Sequence, residues 1–117
     1  MKENVIKDKS FTFALRIVKL YQYLCDIKKE YVLSKQVLRS GTSIGANVRE
    51  SEHGQSKSDF IHKISISLKE ANETDYWLDI LYKSSYIDEN LYLSLKQDCE
   101  EILKILTAIV KTSRNNG

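Results

Sequence analysis

No proline interrupts the 117 residues of this chain, and it holds only four glycines, one of them the last residue. Average usage would supply about six prolines and about eight glycines over that length. A fold that reverses direction through many tight turns, as β-sandwiches and small barrels do, has little turn material here. Instead the chain carries, almost from end to end, apolar residues spaced three and four apart, which is the period of an α-helix.

Four such stretches follow one another. The first, about residues 10–28, carries Phe11, Ala14, Val18, Tyr21 and Cys25 in one row. Beside it runs a second row of Phe13, Ile17, Leu20, Leu24 and Ile27. At about 100° per residue the two rows cover more than half of the helix circumference, which exceeds what one bundle neighbourhood buries. The second stretch, about 32–53, has a narrower stripe of Leu33, Val37, Gly41, Ile44 and Val48 with a polar row of Gln36, Ser40, Ser43, Asn47 and Glu50 beside it. Gly41, Gly45 and Ala46 leave room for another backbone to come close, and Gly54 reads as the helix stop. The third, about 57–83, follows Ser56 or Ser58 as N-cap and places Phe60, Ile61, Ile64, Leu68, Ala71, Leu78 and Tyr82 on one face. Ile66, Trp77 and Ile80 point away from that face. Asp88 as N-cap, with Ile87 as a hydrophobic staple, opens the fourth at about 88–112, whose stripe is Leu91, Leu95, Ile102, Leu106 and Ile109. Short connections make neighbouring helices antiparallel, so the expected fold is all-α, a single-domain up-down-up-down antiparallel four-helix bundle.

Apolar residues make up 42% of the chain and charged residues 29%, the balance of a folded soluble protein, and no apolar run reaches the roughly 20 residues of a membrane span. The opening residues lack the apolar core of a signal peptide, so the expected location is cytoplasmic, with no membrane partner. Net charge is +2, but residues 1–57 carry 11 Lys or Arg against 6 Asp or Glu, and residues 58–117 carry 7 against 10. A near-neutral chain is not a nucleic-acid binder as a whole, though its first half offers a basic face.

Motifs that would carry chemistry are thin. Cys25 and Cys99 form no close pair, sit in apolar helical stretches, and are expected to stay reduced and apart. Glu50 with His53, and Asp59 with His62, have the carboxylate-x-x-His spacing of di-metal bundles. Such a site also needs carboxylates at the same level from the other helices, and the facing stretch Lys104 to Lys111 has none. Neither cysteine has a positioned histidine, and no glycine-rich phosphate loop occurs. The expectation is a protein without catalytic residues, bound metal or cofactor.

The stretch Val32 to Glu52, reading VLSKQVLRSGTSIGANVRESE, is followed by Asp59-Phe60 and by Leu68-Lys-Glu-Ala-Asn-Glu-Thr-Asp-Tyr-Trp-Leu78. Together with the opening Ser10-Phe11-Thr12-Phe13-Ala14-Leu15, these residues resemble the four-helix-bundle proteins of the 23S rRNA intervening-sequence family over nearly the whole chain. The resemblance implies an up-down bundle that assembles into a ring, typically a pentamer. Some members of the family are encoded inside insertions in large-subunit ribosomal RNA genes. A related accessory protein of diversity-generating retroelements is a basic pentamer that works with reverse transcriptase and nucleic acid; the near-neutral charge of this chain departs from it. The polar residues Asn47, Glu70 and Glu73 match the family pattern, and polar groups beside an apolar stripe characteristically fix register and pairing.

Two functional readings follow. In the first, the chain is an oligomeric scaffold, with Phe13, Ile17, Leu20 and Leu24 on helix one and Ile66, Trp77 and Ile80 on helix three as the faces that another copy covers. Extra faces on two different helices suit a head-to-tail contact that closes by rotation. In the second, it is a nucleic-acid accessory protein whose Arg16, Lys19, Lys35, Arg39 and Arg49 contact backbone phosphates of RNA or another nucleic acid without reading sequence.

Overall fold

The computed structural model describes residues 2–115, and the side chains of residues 5–115. Four helices, α1 (Lys2–Asp26), α2 (Leu33–Ser51), α3 (Lys57–Lys83) and α4 (Glu89–Asn115), account for most of it. Each packs on the next in sequence and α4 returns to α1, the contact ring of an up-down-up-down bundle measuring 47 × 21 × 19 Å. No described helix is long and apolar enough to cross a membrane.

α1 begins eight residues earlier than the two apolar rows indicate, because its inward row continues through Ser10 to Ile6, and both are fully buried. The serine interrupts the apolar pattern, but its hydroxyl is satisfied on the Lys7 carbonyl at 3.2 Å. Of the two rows on α1, the structure turns Ile6, Phe13, Ile17, Leu20 and Leu24 into the core. Phe13, Ile17, Leu20 and Leu24 are therefore corrected from a subunit face to core residues. Of the other row Phe11 and Val18 stay outside, at 48% and 36% exposure, and Leu15, which neither row contains, joins them at 52%; Ile27 of the inward row is 66% exposed. Gly41 explains the choice. A Cβ placed there would lie 2.8 Å from both Cγ atoms of Ile17, so only a glycine lets α1 settle with the Ile17 row against α2.

α3 keeps Ile64, Ala71 and Leu78 of its expected face inward and completes the buried seam with Ser67, Thr74 and Leu81. Phe60, Leu68 and Tyr82 are only half-buried and pack on the core's edge. The two hydroxyl residues are tolerated because α2 satisfies them. Ser67 donates to the Ile44 carbonyl at 2.8 Å, and Thr74 Oγ1 lies 2.9 Å from Ser40 Oγ.

The turns are closed by side chains and not by glycine. Ser56 caps α3, accepting from the Asp59 N–H at 3.1 Å, while Asp59 accepts from the Gln55 N–H at 3.1 Å. Asp88 caps α4 through the Leu91 N–H at 2.8 Å, and Ile87 is buried beside it. Gly54, read from sequence as a left-handed stop, has no positive φ. A Cβ there would sit in tight contact, 3.2 Å from the Phe60 nitrogen. The left-handed positions fall on Lys29 and Ser85, at φ 56° and 66°.

At the start of α2, Glu30 accepts from the N–H groups of Val32, Leu33 and Ser34 at 3.1, 3.0 and 2.7 Å. Partial burial alone would raise its carboxyl, but these hydrogen bonds outweigh burial and hold it below the usual glutamate value. Its stabilisation is thus present above the ordinary glutamate pKa and lost as pH falls through the depressed one. Glu30→Gln is expected to cost about 1 kcal/mol near pH 7, and thermal melts of the two proteins should converge at about pH 3.

Candidate interaction surface

The side of the bundle formed by α2 and α3 gathers the most distinctive set of polar groups. Arg39 projects from α2 across to α3, where its guanidinium donates to Glu70 Oε2 at 3.1 Å and Glu73 Oε2 at 2.6 Å. Ile66 and Lys69 complete the walls of a shallow cleft around these three residues. Two carboxylates thus share one guanidinium, and each keeps its other oxygen without a hydrogen-bond donor among the described residues. Glu70, with 14% of its side chain exposed, is pushed above the usual carboxylate range by burial and by Glu73, against the pull of Arg39. Burial acts on Glu73 too, but the hydrogen bond and positive charge of Arg39 help to overcome it and leave its carboxyl depressed.

Trp77 stands on the same side of α3, half-buried, with its ring edge-to-face on Tyr76 at 5.2 Å. Its indole N–H is buried without an acceptor among the described residues. Ile66 and Ile80 flank it, both half-buried. Of the family-pattern residues, Glu70 and Glu73 converge here, whereas the Asn47 amide is spent on its own helix, donating to the Ser43 carbonyl at 2.9 Å.

The five basic residues chosen as a phosphate-contacting face are not brought together. Arg39 is taken by the two glutamates, on the α3 side of α2. Arg16 faces α4, 2.7 Å from Asp98 and 3.0 Å from Ser94 Oγ. Arg49 lies over the Phe11 ring at 5.0 Å. Lys19 and Lys35 are exposed, with no carboxylate at ion-pair distance among the described residues. Charge counting could not reveal this, since the acidic partners of Arg39 and Arg16 lie on other helices, 31 to 82 residues away.

Elsewhere, Glu50, His53, Asp59 and His62 line one shallow cleft at the α2–α3 turn. No three His, Cys, Asp or Glu side chains among the described residues come close enough to share a metal ion. Cys25 and Cys99 are both free. Cys99 is buried, which pushes its thiol up to about 12, and its Sγ lies 3.4 Å from the Ala71 carbonyl oxygen. A half-buried charge cluster with no local pattern in the sequence joins α3 to α4: Lys96 lies 2.6 Å from Asp75 and 2.9 Å from Asp79, and Tyr92 donates to Asp79 at 2.6 Å.

Comparison with known proteins bears on the whole chain. A crystal structure of a protein of unknown function from the S23 ribosomal protein family of Bacteroides thetaiotaomicron VPI-5482 superposes with a TM-score of 0.94 at 58% identity. The superposition covers 95% of this chain and 99% of that one. No curated protein matches. The family model described as 23S rRNA-intervening sequence protein matches residues 2–108, which takes in the first three helices whole and most of α4, and the chain belongs to that family.

Proposed function

We propose that this protein is a non-catalytic homo-oligomeric scaffold, built by head-to-tail contacts into a closed ring. The observation that carries the reading is the outer row of α1. Phe11, Leu15 and Val18 are each more than a third exposed and lie along one line of the helix, a patch that a soluble monomer gains by covering. A second apolar row, Ile66, Trp77 and Ile80, lies on α3 along a different side of the bundle. One row sits beside α2 on its α1 side, where Arg49 covers Phe11, and the other on its α3 side, where Arg39 meets the glutamates. Two unlike patches on adjacent sides cannot pair each with itself in one contact, and joining them turns each copy relative to the last until the ring closes. Five copies is the number that the family resemblance implies.

Light scattering at micromolar concentration should give a mass several times 13.6 kDa. Trp77→Ala should lower that mass while leaving the helical circular dichroism in place, because large aromatics dominate interface energetics. A monomeric wild-type mass would defeat the proposal.

A further inference from the structure

We infer that the Arg39–Glu70–Glu73 cleft of one copy is completed by Lys19 of the next, with Leu15 of that neighbour level with Ile66 along the bundle. This rests on the proposed ring, and it names the contact within it. The two carboxylates leave two free acceptor oxygens after Arg39 has been served. Lys69 stands exposed at the rim, where its charge acts on Glu73 without reaching ion-pair distance. A neighbour that covered this half-buried cleft with apolar side chains alone would leave those oxygens without donors, and a cation from the neighbour would supply them.

The levels of the helices identify which one. A ring whose rotation axis runs along the bundle keeps every residue at its own height in all copies, so contacts join residues of equal height. α2 serves as the ruler. Gly41 lies against Ile17, Cys25 lies 3.7 Å from Ser34, and Arg49 covers Phe11, which puts residues 17–20 of α1 level with residues 39–42 of α2. Arg39 meets Glu70 and Glu73, Ser40 meets Thr74, and Ile44 meets Ser67, which puts Glu70 and Glu73 at that same level. Lys19 is the α1 cation there, exposed and without an ion-pair partner among the described residues, one turn from Leu15 and next to Val18. The ruler also brings Leu15 level with Ile66 to within about two residues, or about 3 Å. Ile80 falls about a dozen residues away, nearly 20 Å. At one register, therefore, Lys19 stands level with the two carboxylates and Leu15 with Ile66.

Sedimentation velocity across a concentration series tests the contact. Lys19→Glu and Glu73→Lys should each weaken association by about tenfold or more, and the double variant should recover most of the loss, because the swapped charges meet again. Lys104→Glu, the same charge change on α4, should leave association as in the wild type. A wild type that associates while Lys19→Glu weakens it no more than Lys104→Glu would overturn the Lys19 contact and leave the ring standing. A wild type that stays monomeric would overturn both. Should Glu73→Lys lose its helical signal, cysteine pairs answer the same question in a Cys25→Ser background. Leu15→Cys with Ile66→Cys should give an inter-chain ladder on oxidation, and Leu15→Cys with Ile80→Cys should not; the reverse pattern would exclude the level register.

Discussion

Phe13→Ala should cost about 3–5 kcal/mol of folding stability, enough to threaten a domain of this size. Phe13 is 1% exposed and is the largest of the fully buried side chains. Its removal leaves a cavity in the core that a close-packed bundle fills poorly. Phe11→Ala, two residues away, should cost less than about 1 kcal/mol, since it gives up a half-exposed ring and one cation–π contact from Arg49. The same substitution should weaken self-association, which Phe13→Ala affects only by unfolding the chain. Urea titration for stability and light scattering for mass separate the two outcomes. Equal stability losses at the two positions would mean that the core and outer rows of α1 have been interchanged.

Lys96→Met should cost about 2–4 kcal/mol near neutral pH. Breaking a buried ion pair typically costs about 3–5 kcal/mol, and a discount follows from partial exposure here, with 15% of the Lys96 side chain, 28% of Asp75 and 46% of Asp79 accessible. Burial alone would lower the ammonium pKa, yet the two carboxylates hold it well above the ordinary lysine value. Methionine keeps the stem's volume and removes the charge, leaving Asp75 and Asp79 facing each other without a cation. In the wild type, burial raises Asp79, but hydrogen bonds from Tyr92 and Lys96 depress it. Its contribution is therefore present above the ordinary aspartate pKa and lost as pH falls through the depressed one. In the variant Asp79 loses the Lys96 hydrogen bond and charge that help depress it, so less stability is lost on acidification than in the wild type. The difference from wild type should accordingly narrow as pH falls through the ordinary aspartate range in urea titrations. A constant difference across that range would show that the carboxylates find other partners.

The four helices were legible because helix period, caps and breaks are local properties. Ser56 and Asp88 cap as their positions in the chain indicate, and α3 runs over the expected residues from Lys57 to Lys83. The Glu30 cap was not legible, since a glutamate that reaches three N–H groups ahead of it has no short pattern of its own. Nor was the start of α1, where a serine occupies a core position.

By itself the sequence determined the all-α class, the number and order of the helices, and the presence of more apolar surface than one bundle buries. Period and composition suffice for that, because each helix forms from residues within a few positions of one another. Tertiary structure decided which row of α1 turns inward, since Gly41 on another helix makes room for Ile17. It decided that Ser67 and Thr74 enter the core, since Ser40 and the Ile44 carbonyl on α2 receive them. And it decided that Arg39 joins an acidic cleft instead of a basic face, because its carboxylate partners are held on α3 by packing between helices, at separations along the chain where local pattern carries no information.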